Sequence, residues 1–133
     1  MRSYSIPNYI RYKEDIKAKL KRLPDKPYNE YTREELIIKF LPLVENLARK
    51  FPSGQQASGI MNIMDFIQEG SKGLTRAVDR IDWHTLMSSD DIEKTLKSFL
   101  AKRIRGAIRR GIDANRGTMR IPEHKLNEIR RDF

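Results

Sequence analysis

Residues 98–112 read Ser-Phe-Leu-Ala-Lys-Arg-Ile-Arg-Gly-Ala-Ile-Arg-Arg-Gly-Ile, and this stretch decides the fold. Apolar side chains recur in it and just before it at steps of three and four residues, which is the spacing of one face of a helix. The apolar positions are Leu96, Phe99, Leu100, Ile104, Ala107, Ile108 and Ile112. Because such a face must be buried against other helices, the pattern predicts a helical domain.

The opposite side of the same predicted helix is basic. Lys102, Arg105 and Arg109 share one line along it, and Arg103 and Arg110 flank the apolar face. One element therefore offers one face to a protein core and another to an anion. A polyanion that runs along a helix is most often nucleic acid.

The composition is that of one globular domain. The 133 residues are 38% hydrophobic and 34% charged and include no cysteine, which excludes a disulfide framework, a thiol nucleophile and a cysteine-based zinc site. No apolar run approaches the ~20 residues that span a bilayer, and the N-terminus lacks the apolar stretch of a signal peptide. We therefore expect a cytoplasmic protein without a membrane partner.

The formal net charge of +9 is concentrated at the two ends of the chain. Residues 102–131 carry ten Lys and Arg against three acids, residues 1–22 carry seven against two, and residues 23–101 carry ten against twelve. We expect a polyanion to contact both ends, which leaves the acidic middle free for a different partner.

Further helices are predicted upstream of the basic one. A short basic helix over residues 9–23 comes first. Thr32 followed by Glu35 forms a capping box for the next helix, and Pro42 lies inside its apolar pattern, where we expect a kink or two segments that meet. Asn62 together with the acid three residues later caps a third helix.

Glycines interrupt two of these predicted helices. Gly70 and Gly73 lie inside the third helix, and Gly111 and Gly117 bracket the end of the basic one. A glycine inside a helix costs roughly 1 kcal/mol relative to alanine, so something is expected to approach the backbone closely at the first two positions. Helix packing inside the domain and contact with a partner are both open explanations.

Residues 52–59 and 82–89 are predicted to be loops, and Ser88 or Ser89 is expected to cap the basic helix. A last short helix is expected after Pro122. No strand pattern is present in the sequence. We therefore predict an all-α fold, a compact bundle of four to five helices.

No catalytic group of residues can be identified. The sequence has no glycine-rich phosphate loop and no nucleophile with an obvious base. His84 and His124 are far apart in the chain, and each is expected to be a loop or surface residue. We predict a protein that is not an enzyme and that holds no cofactor or metal.

Three sequence blocks follow one another along the chain. Residues 41–51 read Leu-Pro-Leu-Val-Glu-Asn-Leu-Ala-Arg-Lys-Phe, residues 65–79 read Asp-Phe-Ile-Gln-Glu-Gly-Ser-Lys-Gly-Leu-Thr-Arg-Ala-Val-Asp, and residues 103–107 and 120–124 form the last block. They resemble the second conserved region of the sigma-70 family of bacterial RNA polymerase sigma factors. The first block is closest to the flagellar-type members, and the second resembles the family signature Asp-Leu-Ile-Gln-Glu-Gly-Asn-Ile-Gly-Leu. The resemblance implies a sigma region 2-like helical fold.

The resemblance implies that the acidic helix binds core RNA polymerase at the clamp coiled coil of its largest subunit. The implied contact residues are Asp65, Gln68, Glu69, Ser71, Leu74 and Thr75. Carboxylates and an amide can accept charge-assisted hydrogen bonds from arginines of the partner, with Leu74 as an apolar anchor. The alternative is that Asp65 and Glu69 only solvate a surface.

The resemblance also implies that the basic helix captures the non-template strand of the −10 promoter element as it opens. Phe99 takes the position of an aromatic residue that stacks on a flipped base, and core packing is the alternative for this ring. Lys102 and Arg103 replace the tryptophan pair of the primary sigmas, and Gly106 replaces a glutamine, so altered specificity is expected. The implied DNA-binding residues are Phe99, Lys102, Arg103, Arg105, Arg109, Arg110, Arg116, Arg120, His124 and Lys125.

With this resemblance the chain divides into three parts. Residues 1–31 form a basic N-terminal helix and linker, residues 32–117 a sigma region 2-like domain, and residues 118–133 the start of a region 3-like helix. The chain ends without the later sigma regions. We therefore expect a minimal sigma of the phage late-gene type, which relies on a co-activator for upstream contacts; a piece of a longer sigma is the alternative.

The function implied is that of a transcription initiation factor. Such a protein binds core RNA polymerase and recognises and melts a −10-like promoter element. The alternative is a basic helical DNA-binding regulator, or a sigma mimic, that does not itself direct initiation.

Overall fold

A computed structural model describes the backbone of residues 6–51, 54–56 and 59–120 and the side chains of residues 8–51 and 61–114. These described parts contain five α-helices: α1 (Ile6–Lys21), α2 (Arg33–Ala48), α3 (Ile63–Val78), α4 (Trp83–Met87) and α5 (Ile92–Arg120). A 3-10 turn (Tyr28–Glu30) precedes α2, and two short strands, β1 (Gly54–Gln56) and β2 (Gly59–Met61), lie between α2 and α3. The predicted all-α class is confirmed.

The capping box predicted at Thr32 and the cap predicted at Asn62 are both present, and the second is also a full capping box. The Thr32 hydroxyl accepts a hydrogen bond from the Glu35 amide at 3.1 Å, and the Glu35 carboxylate accepts one from the Thr32 amide at 2.9 Å. Asn62 and Asp65 exchange the same pair of bonds at the start of α3. Because a capping box satisfies two backbone donors that the helix leaves free, both helices begin where the sequence predicts.

Helix α2 runs through Pro42 as one element, so the expectation of two separate segments is wrong. Proline has no backbone N–H and removes one hydrogen bond of the helix. The buried apolar side chains of α2 lie on both sides of this position, Phe40 before it and Val44 after it. Their packing against the core holds the two halves in one helix.

Helix α5 is longer than predicted at its C-terminal end and begins at a different cap. It continues through Gly111 and Gly117 to Arg120. Asp91, not Ser88 or Ser89, is its cap, because the Asp91 carboxylate accepts a hydrogen bond from the Lys94 amide at 3.1 Å. The two serine hydroxyls instead donate to backbone carbonyls of α4.

Each of the two predicted loops contains short regular structure. Within residues 52–59 and just after, β1 and β2 pair antiparallel, with Gln55 opposite Ile60. Within residues 82–89, α4 forms a single turn that buries Leu86. Elements of three to five residues are too short for a hydrophobic period to appear in the sequence.

The core lies where α2, α3 and α5 meet. The largest fully buried side chains are Val44, Phe66, Ile67, Leu74, Leu96, Leu100, Ile104 and Ile108. Helix α1 packs against α2, outside this central contact. None of the described helices is long and apolar enough to cross a membrane.

At Gly70 and Gly73, α3 approaches its neighbours closely. A Cβ on Gly73 would lie 2.6 Å from the Ala107 Cβ and 3.0 Å from the Arg103 carbonyl oxygen. A Cβ on Gly70 would lie 2.9 Å from a Val44 methyl group. Of the two explanations left open by the sequence, helix packing inside the domain therefore accounts for both glycines.

Candidate polymerase and nucleic-acid interfaces

The solvent face of α5 carries a line of uncompensated positive charge. Lys102, Arg103, Arg105, Arg109 and Arg110 all have exposed side chains. No ion pair in the described part of the chain engages any of the five. The charge is therefore available to a polyanion, as the sequence predicts.

Phe99 lies at the border between this face and the core. The ring is half-buried and packs against the core cluster. The Arg103 guanidinium carbon lies 4.0 Å from the ring centroid, which is close enough for a cation–π contact. Arg103 thus covers ring surface that a stacking base would need, and such a base has to displace the guanidinium or stack on it.

The remaining predicted DNA contacts are described only in part. Arg116 and Arg120 lie on the last turns of α5, where the backbone is described. His124 and Lys125 lie outside the described residues, as does the short helix predicted after Pro122.

Helix α3 exposes most of the predicted polymerase contacts. Gln68 is exposed, and Asp65, Glu69, Ser71 and Thr75 are half-buried. The Glu69 carboxylate lies 3.6 Å from the Lys72 ammonium. Asp65 also serves the helix itself, because its carboxylate accepts the bond that completes the capping box. The Thr75 hydroxyl donates to the Ser71 backbone carbonyl at 2.9 Å, so the Thr75 side chain lies along its own helix.

Leu74 is the one predicted polymerase contact of α3 that is not accessible to solvent. Its side chain is fully buried in the core between the helices. Because this side chain is buried inside the domain, it cannot also serve as an apolar anchor in another protein. The sequence expectation for Leu74 is corrected accordingly.

Glu69 also links α3 to α5. A Cβ on Gly111 would lie 2.5 Å from the Glu69 Cγ and 2.8 Å from its carboxyl carbon. The glycine at position 111 therefore makes room for the glutamate stem instead of ending the helix. This contact was not predicted, since nothing local in the sequence connects the two positions.

A further cluster that the sequence did not indicate joins α1 to α2. The Glu45 carboxylate accepts a hydrogen bond from the Tyr9 hydroxyl and lies 3.6 Å from both the Lys13 ammonium and the Arg49 guanidinium. Its side chain is only 15% exposed. Burial, and then the hydrogen bond to Glu45, raise the pKa of Tyr9 to about 12. Burial also raises the pKa of the neighbouring Tyr12 to about 12.

Trp83 and His84 lie next to each other on α4, within the predicted loop. Trp83 is half-buried on α4 and packs against the core cluster, and His84 is exposed. Among the described residues, no three His, Asp or Glu side chains are grouped so that they could hold a metal ion.

Relatives of the chain are RNA polymerase sigma factors. It is 32% identical over 103 residues to the RNA polymerase principal sigma factor HrdD of Streptomyces coelicolor, which is 77% of this chain and 27% of HrdD. It is 27% identical over 114 residues to the RNA polymerase sigma factor SigA of Mycoplasma genitalium, which is 86% of this chain and 20% of SigA. The chain thus spans about a quarter of these relatives or less. No family model and no solved structure matches it.

Proposed function

Because the chain contains a sigma factor region of the sigma-70 family, we propose that it is a transcription initiation factor, which binds core RNA polymerase through α3 and opens a −10-like promoter element with α5. The observation that carries the proposal is that two closely packed helices present chemically different groups. The close approach at Gly73 and Ala107 joins α3, with its exposed amide and half-buried acids, to α5, with its exposed cations.

The polymerase contact is assigned to the exposed side of α3. Gln68 and Glu69 present acceptors to solvent, and Asp65 lies one turn before them. Carboxylate acceptors bind arginines of a partner through charge-assisted hydrogen bonds, which are stronger than neutral ones. With Leu74 buried, this interface is a polar one.

The DNA contact is assigned to the exposed side of α5. Five exposed cations on one helix suit the phosphate backbone, which supplies most of the affinity of such complexes and little of their sequence preference. A flipped base is expected to stack at Phe99, together with or in place of the Arg103 guanidinium. Stacking of one base is worth ~1–3 kcal/mol and helps to offset unpairing.

The proposal extends to the organisation of the chain. Residues 32–117 are the region 2-like domain, and the helix that carries it continues without a break to Arg120. A co-activator is proposed to supply upstream contacts, as in phage late transcription. No catalytic or metal-binding role is assigned to any residue.

The direct test is recovery of bacterial core RNA polymerase on the immobilised chain. Glu69→Lys is expected to lower recovery at least about tenfold, because like charges that face each other across an interface cost several kcal/mol. Asp15→Lys changes the net charge equally at an exposed position of α1 and is expected to leave recovery unchanged. Circular dichroism of both variants establishes that they are folded.

Equal recovery of wild type and Glu69→Lys would exclude α3 as the contact. A chain that recovers no polymerase but binds duplex DNA alone would instead be the helical regulator or sigma mimic. Asp65 is less suitable for this test, since its replacement also removes one of the two bonds of the capping box of α3.

A further inference from the structure

The two basic ends of the sequence meet in space at one aromatic side chain, Phe51. A cleft of about 370 Å³ opens beside it. The residues that line the cleft are Tyr9, Lys13, Arg49, Phe51, Ile63 and Phe66. The Arg109 guanidinium reaches the same Phe51 ring from α5, with its carbon 5.8 Å from the ring centroid. Cations from α1, from the C-cap of α2 and from α5 thus lie near the Phe51 ring.

The cations of α1 and α2 are held in place by a single carboxylate. Glu45 lies 3.6 Å from both the Lys13 ammonium and the Arg49 guanidinium, and it is largely shielded from solvent. One negative charge does not neutralise two positive ones, so the cleft stays net positive. Because the carboxylate already orders both long side chains, a ligand loses less conformational entropy when it binds them.

The aromatic rings of the cleft are covered by these cations. The Lys13 ammonium lies 5.3 Å from the Tyr9 ring centroid, and Arg109 lies over Phe51. The Phe66 ring is buried and lies 5.9 Å from that of Phe51. The accessible chemistry of the cleft is therefore positive charge on an apolar floor, which favours an anion over a stacked base.

We propose that this cleft binds a backbone phosphate of the promoter DNA, with Lys13, Arg49 and Arg109 as its ligands. The identification of the anion rests on the proposed function. Arg109 lies ten residues beyond Phe99 on α5, which is about 15 Å along a helix. The cleft is therefore on the side of Phe99 where the proposed function has the duplex that is still paired, and α1 becomes part of the DNA-binding surface.

The salt dependence of DNA binding tests this contact. The free 133-residue chain is titrated onto a labelled DNA duplex at several salt concentrations. Each lost phosphate contact makes the plot of log affinity against log salt less steep by about 0.9. Between 50 and 200 mM salt, the variant therefore loses roughly 3.5-fold less affinity than the wild type. Lys13→Gln and Arg49→Gln are each expected to show this change.

Lys17→Gln is the matched control, because it removes the same charge from the exposed surface of α1 one turn further along. It is expected to retain the wild-type slope. Equal slopes for wild type and Lys13→Gln, or an equal change in Lys17→Gln, would overturn the proposal. The absence of any duplex binding by the wild type would do the same.

A second arm identifies the source of the phosphate. Inorganic phosphate could raise the melting temperature of the wild type but not of Lys13→Gln, while the two proteins show the same salt dependence of DNA binding. In that case the cleft binds free phosphate, and the proposed contact with a DNA phosphate is wrong. Neither the DNA titration nor the melting experiment contains polymerase. A failure of the proposed function, seen as no recovery of core enzyme, is therefore distinguishable from a failure of this inference.

Discussion

At the scale of single residues, Gly73 and Gly106 form a matched pair on the two helices of the central contact. Alanine at Gly73 would place its Cβ 2.6 Å from Ala107 and 3.0 Å from a backbone oxygen, so α3 and α5 would have to move apart. We expect Gly73→Ala to lower the free energy of unfolding by about 1–3 kcal/mol, the usual cost of overpacking. Urea denaturation measures the change.

Gly106→Ala is the control for this substitution. A Cβ there meets only the flexible end of Arg110, at 3.4 Å. Since alanine favours a helix by up to about 1 kcal/mol over glycine, this variant is expected to be as stable as the wild type or more so. If the two alanine variants were equally stable, the helix crossing would not depend on Gly73.

Several residue details that depend on neighbours within one turn were predictable from the sequence, although the cap of α5 was not. The capping boxes at Thr32 and Asn62 are of this kind, since each involves residues three apart. The roles of Gly73 and Gly111 depend on another helix, and no local pattern reveals them. Leu74 shows a different limit of prediction from the sequence. An apolar residue on a helix can pack in the core or contact a partner, and only the packing of the helices decides which.

At the scale of elements, the attachment of α1 to α2 depends on ionisable groups. Burial and the contacts with Glu45 raise the pKa of Tyr9 to about 12, and burial raises the pKa of Tyr12 to about 12. The folded state therefore favours the neutral phenols more than the unfolded state does. Their contribution to stability is complete below pH ~10, the ordinary tyrosine pKa, and is lost as the pH rises from about 10 to 12.

We expect the tyrosinate absorbance of the folded protein to show a component that titrates near pH 12. Tyr9→Phe and Tyr12→Phe should each lose part of that component, while in urea all five tyrosines titrate near pH ~10. A Tyr9→Phe protein with an undiminished late component would show that α1 is not held by Glu45.

Long helices with a strong apolar period were predicted correctly, and short elements were not. The three-residue strands and the single turn of α4 are below the length at which a period can be recognised. The C-terminal end of α5 was misplaced because Gly111 was interpreted from its low helix propensity. Its contact with Glu69 outweighs that preference, as tertiary packing often does.

At the scale of the whole molecule, the charge map of the sequence has a spatial counterpart. The two basic ends were expected to contact one polyanion, and in the fold Lys13 and Arg109 lie near the same Phe51 ring. The acidic and amide groups of α3 lie on the neighbouring helix, where Glu69 packs beside Gly111 of α5. The sequence could predict two partners but not how near the two surfaces are, because that depends on the crossing of α3 and α5.

Strand opening in the presence of core polymerase tests the central claim most directly. A duplex selected from a randomised pool by the polymerase–protein complex is labelled with 2-aminopurine, whose fluorescence rises when the strands separate. We expect a rise only with both proteins, and a rate of opening roughly 5- to 150-fold lower for Phe99→Leu, since one stacked base is worth ~1–3 kcal/mol. A duplex that the chain binds equally well without polymerase, and that stays closed when polymerase is added, would contradict the account.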